Sequence, residues 1–74
     1  MKPKEINITP RELEVIKLLR RGYSSRQVAS QMKISFNTVE THRKKILKKF
    51  KAKNTPEMIG KALEFFGWIV KGKF

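Results

Sequence analysis

Apolar residues recur at helical spacing in four separate stretches, and each stretch follows residues suited to starting a helix. In the first, Val15, Ile16 and Leu19 form a stripe with Leu13 and Leu18 on its opposite shoulders. Thr9, Pro10 and Glu12 supply a capping box with proline at the first helical position. Glu12 projects near the middle of the stripe, so its carboxylate is expected either to serve the cap or to meet a basic residue elsewhere. Arg20 and Arg21 favour the negative end of the helix dipole, and Gly22 suits the left-handed turn that follows, which predicts a helix over 10–21. Ser24 with Gln27 repeats the box before Val28, Ala29 and Met32, predicting a short helix over 25–32.

Ser35 is the next cap, and behind it Val39, Ile46 and Phe50 share a narrow arc flanked by His42 and Leu47. The opposite arc holds Asn37, Glu40, Thr41, Lys44, Lys45 and Lys48, polar residues with no evident partner in the sequence. A polar first half and a lysine-rich second half suit a helix over 36–50 whose start touches base edges while its body meets phosphates; a plain solvated face is the competing interpretation. A third box, Asn54 to Glu57 with Pro56 in the first turn, introduces Met58, Ile59, Ala62, Leu63 and Phe66 on one arc, with Gly60 inside and Gly67 ending a helix over 55–66. The two middle helices, separated by a short break at Lys33 and Ile34, describe a helix-turn-helix in which Ala29 permits close approach. The pattern predicts an all-α, four-helix domain over 8–74, preceded by a flexible arm over 1–7. The apolar tail from Trp68 to Phe74 is expected either to fold back over the first and fourth helices or to contact another chain.

Composition narrows the function. Eighteen Lys and Arg against 6 Asp and Glu give a formal charge of +12 on 74 residues. So large an excess on so small a body favours a polyanionic partner, nucleic acid first and an anionic membrane surface second. Cysteine is absent and His42 is the single histidine, so no disulfide framework or metal-ligand set is expected. No glycine-rich phosphate loop or nucleophile with base and orienter is present, which points away from an enzyme and from a bound cofactor. The aromatics lie mainly at helix-core spacing and do not alternate with basic residues as a base-stacking platform would. No apolar run is long enough for a membrane span, and the polar start lacks the apolar core of a secretory signal; a cytoplasmic protein is expected.

Ile8-Thr9-Pro10-Arg11-Glu12 with Val15-Ile16, Gly22-Tyr23-Ser24, Val28-Ala29, Ile34-Ser35, Thr38-Val39-Glu40-Thr41-His42 and Ile46-Leu47-Lys48-Lys49-Phe50 occur in an order and spacing that closely resemble the DNA-binding domain of LuxR/GerE-type bacterial transcription regulators. The resemblance runs from about Ile8 to Leu63. It implies a four-helix domain acting on double-stranded DNA in the bacterial nucleoid, with residues 37–50 as a recognition helix in the major groove. By position, Glu40, Thr41 and Lys44 would face base edges. Ser24, Ser25, Arg26, Asn37, Thr38, His42, Lys45 and Lys48 would contact or support contacts to the DNA backbone. The fourth helix, through Met58, Ile59, Ala62, Phe65 and Phe66, would be the surface of a homodimer on DNA, and RNA polymerase or a receiver domain are further implied partners. A protein-interaction module using the fourth helix and tail, with DNA contact secondary, is the alternative. The sequence departs from the family at Lys33, where glycine is usual, at Glu40, where lysine is common, and at Gly60 and the tail.

Overall fold

The structure, a computed structural model, describes residues 6–67. Four helices follow one another: α1 (Pro10–Arg20), α2 (Ser25–Met32), α3 (Phe36–Phe50) and α4 (Thr55–Phe66), with no strand among the described residues. The all-α helix-turn-helix expectation holds, and only the first helix differs in length, because Arg21 caps α1 instead of extending it. Expectations for the Trp68 to Phe74 tail, and for the first five residues of the arm, lie outside the described residues.

Local chemistry sets the helix starts. Thr9 and Ser24 both make the reciprocal box: Thr9 Oγ1 accepts from Glu12 N at 3.1 Å and Ser24 Oγ from Gln27 N at 3.2 Å, while each N3 side chain accepts from the cap backbone. Ser35 Oγ accepts from Thr38 N at 3.0 Å and shares a hydrogen bond with the Thr38 hydroxyl. At α4 the box is only half made. Asn54 Oδ1 accepts from Glu57 N, but the Glu57 carboxylate turns to the backbone N–H of Lys53.

The ends of α2 and α3 repeat one device. Lys33 and Lys51 both adopt the left-handed conformation, with φ of 58° and 54°. The next residue then donates back to the helix, Ile34 N to Ala29 O and Ala52 N to Leu47 O, which satisfies carbonyls that the helix end would leave open. Lys33 therefore keeps the turn that a glycine would make, at a cost of about 1 kcal/mol for its Cβ. Lys61 from α4 seals the end of α3 by donating to the carbonyls of Phe50 and Lys51, placing a cation at the negative end of that helix.

The stripes read from the sequence meet in one core of Val15, Ile16, Val28, Ala29, Met32, Val39, Ile46, Phe50, Met58 and Ala62. Ile34 and Leu47 pack against its edge, and so do Leu18 and Leu19. Glu12 lies within this core at 3% exposure, and both of its expected roles are realised together. Its Oε1 accepts from Thr9 N at 3.0 Å and from Lys49 Nζ at 2.7 Å, and the same ammonium donates to the carbonyl of Asn7 at 2.6 Å. At the end of the expected flexible arm, Asn7 accepts from Lys49 of α3 and Ile6 packs against the core. These contacts follow from Ile6 being apolar and from Lys49 having donors to spare after meeting Glu12.

Candidate nucleic-acid interface

Burying Val39, Ile46 and Phe50 forces the other side of α3 outward, since side chains about 100° apart on one helix cannot all face the core. Asn37, Thr41, Lys44, Lys45 and Lys48 are exposed. Four of the acidic residues described are ion-paired with other cations, Glu12 with Lys49, Glu57 with Lys61 at 3.4 Å, Glu14 with Arg11 at 3.7 Å and Glu40 with Arg43 at 2.8 Å, although the Glu40 charge also reaches Lys44. The result is a ridge about 22 Å long, from 15 residues at 1.5 Å each, carrying polar groups at its start and ammonium groups along its body.

The start of α2 lies beside the start of α3. Ser24 and Arg26 are exposed and Ser25 is half-buried. The Ser24 hydroxyl is occupied with its cap, but the backbone N–H groups of a helix start and the Arg26 guanidinium can meet a phosphate. Arg26 sits over the Phe36 ring at 4.7 Å, and Phe36, at the first position of α3, is 37% exposed. Phe36 therefore departs from the expectation that the aromatics belong to the core. Thr38 is exposed and bonded to the Ser35 cap, while His42 is half-buried at the edge of the core stripe.

Glu40 differs from the other residues expected at base edges. Its carboxylate is bound at both oxygens by Arg43, Nη2 to Oε1 at 2.8 Å and Nε to Oε2 at 3.2 Å, while Arg43 Nη1 donates to Thr55 Oγ1 at 2.7 Å. These bonds, together with a hydrogen bond from Ser25, hold the Glu40 carboxyl below its ordinary range and raise the Arg43 guanidinium above its own. Arg43 was not singled out by the sequence pattern. The signal was its place three residues after Glu40, which lets the two side chains meet on one helix face.

The surface expected for a dimer divides. Met58 and Ala62 are fully buried in the core of this chain, so the expectation that they face a second copy is corrected: their arc is the one that closes the domain. Ile59 and Phe66 are half-buried against that core. Phe65 is 41% exposed, with its ring edge-on to Phe50 at 5.7 Å and to Phe66 at 4.9 Å. Among the described residues no group of His, Cys, Asp or Glu could hold a metal ion, and no helix is long and apolar enough to cross a membrane.

Comparison with known proteins agrees with this geometry. A stretch of 57 residues, 77% of the chain, is 35% identical to the oxygen regulatory protein NreC of Staphylococcus carnosus (strain TM300). NreC of Staphylococcus aureus strains JH9 and JH1 is similar over the same length and to the same degree. The chain spans about a quarter, 26%, of the length of these curated relatives. The family of bacterial regulatory proteins named for luxR matches residues 7–62, which takes in all four capped starts and the whole of α3. With its helix-turn-helix and the basic ridge that α3 turns outward, the chain belongs to the luxR family of bacterial regulatory proteins, DNA-binding regulators of transcription.

Proposed function

We propose that this domain binds double-stranded DNA in a sequence-specific way, with α3 in the major groove, as the DNA-reading part of a transcription regulator. The observation that carries the proposal is the outer arc of α3, where Asn37, Thr41, Lys44, Lys45 and Lys48 are exposed while the helix's apolar side is buried. Thr41, Lys44 and Glu40 face base edges. Lys45, Lys48, Asn37 and Thr38, with Arg26 and the backbone at the start of α2, fix the helix on the phosphates, and His42 supports them from the edge of the core. A groove about 12 Å wide accepts one helix, and contacts to the backbone position it while contacts to base edges specify the sequence.

Two copies bind neighbouring half-sites through α4. The support is Phe65, the one large hydrophobic side chain on α4 that is exposed among the described residues, at 41%. The same feature favours, as a second reading, docking of another protein there, with RNA polymerase or a receiver domain as the classes to test.

Affinity for a duplex chosen from a random pool tests the first reading. Lys44→Ala and Thr41→Ala are expected to lower preference for that duplex over a scrambled one by about ten-fold each, with cooperative melting retained. Log affinity should fall against log salt with a slope of several units, since each neutralised phosphate contributes about 0.9. If both variants bind as the parent does while Phe65→Glu alone abolishes function, α4 is the working surface and the DNA reading fails.

A further inference from the structure

We propose that Arg43 and Thr55 are positioning residues for DNA readout, holding the Glu40 carboxylate on α3 so that it accepts from the amino group of a cytosine. The proposal rests on the reading of α3 as the recognition helix and adds two residues that do not themselves touch a base. An acidic side chain brought to DNA is repelled by the phosphates unless a cation neutralises it locally. Arg43 supplies that cation through its Nη2 and Nε bonds to the two Glu40 oxygens at 2.8 and 3.2 Å.

A carboxylate offers about four acceptor directions, so one remains after the two bonds from Arg43 and the one from Ser25. A pair of side chains three residues apart on an open helix face would exchange rotamers freely. Here the guanidinium has a second anchor on another element, because its third donor reaches the hydroxyl of Thr55 at the first position of α4 at 2.7 Å. Glu40 is thereby fixed from α4 through Arg43, while its side chain keeps 23% of its surface open. It adjoins Thr41 in sequence and stands one turn before Lys44, both exposed.

The remaining acceptor capacity sets the base. Cytosine presents only its amino donor in the major groove. Guanine presents two acceptors, thymine an acceptor and a methyl group, and adenine sets an acceptor beside its donor. A carboxylate that cannot donate is repelled by each of the last three arrangements in whole or in part.

The experiment is selection of bound duplexes from a random pool with the full 74-residue chain, run for the parent and for Glu40→Ala, Arg43→Met, Thr55→Val and Thr55→Ser, with a melting curve for each. The parent is expected to prefer cytosine at one position of each half-site. Glu40→Ala and Arg43→Met should reduce that preference about ten-fold at that position while leaving the others in place, and Thr55→Val about three-fold. Thr55→Ser, which keeps the hydroxyl, should restore it. If the parent selects a defined sequence and Glu40→Ala retains the preference at every position, or Thr55→Val lowers the melting temperature and leaves the preference unchanged, the proposal is overturned and the recognition-helix reading stands. A parent that enriches no sequence overturns both.

Discussion

Lys33 and Glu12 show how single residues carry opposite kinds of cost. At φ 58° Lys33 holds a backbone conformation that a Cβ disfavours, and nothing about its exposed side chain offsets this within the domain. Lys33→Gly is expected to stabilise the fold by about 0.5–1 kcal/mol, with part of the relief returned to the more flexible unfolded chain. Urea unfolding measures this, and a loss of stability would show that the lysine side chain has a structural role. Glu12 is the reverse case, a buried charge made favourable by its partners. Burial pushes its carboxyl up, and the hydrogen bond from Lys49, the N–H of Thr9 and the Lys49 charge outweigh that and hold it below its ordinary value. A group depressed in the folded state adds stability above the ordinary carboxylate range and loses it as the pH falls through the folded value. Stability should therefore decline below about pH 4. Glu12→Gln should remove part of that decline and cost about 1–3 kcal/mol at pH 7, since it leaves Lys49 short of its charged partner. A variant with the parent's stability at pH 7 would refute the pairing.

At the scale of elements, the helices were legible because their information is local. A cap and its N3 partner lie three residues apart, and an apolar stripe repeats within a turn, so Thr9, Ser24, Ser35 and Asn54 announce their helices without knowledge of the fold. What the sequence did not disclose depends on how helices cross. Lys49 meets Glu12 across 37 positions and Arg43 meets Thr55 across 12, and no periodicity encodes which cation reaches which neighbour. For the same reason the apolar arc of α4 could be recognised but not assigned: Met58 and Ala62 close the core, whereas Phe65 stays outside. Phe36 is the exception to aromatics lying mainly at core spacing: at the start of α3 it lies under the Arg26 guanidinium at the surface. Gly60 follows from this geometry. It is exposed on α4, and a Cβ added there meets nothing within 4 Å. Gly60→Ala should therefore raise stability by about 0.5–1 kcal/mol. Thermal unfolding at low protein concentration is the check, and a fall in melting temperature would mean that α4 is more crowded than its exposure indicates.

For the molecule as a whole, the decisive feature is where charge is left over. A chain of formal charge +12 contains few acids, and most of those described are paired within the fold, so the excess remains on surfaces such as the outer face of α3. That face is also the side of α3 that the core does not need, so one helix can hold the domain together and still offer a free face for the proposed DNA contact. The proposed placement of α3 in the major groove is open to direct measurement by methylation interference on a selected duplex, because dimethyl sulfate marks guanine at N7 in the major groove and adenine at N3 in the minor groove. With α3 in the major groove, N7-methylated guanines in each half-site should be excluded from the bound fraction and N3-methylated adenines there tolerated. Exclusion of the adenines alone, or of neither, would contradict the placement of α3.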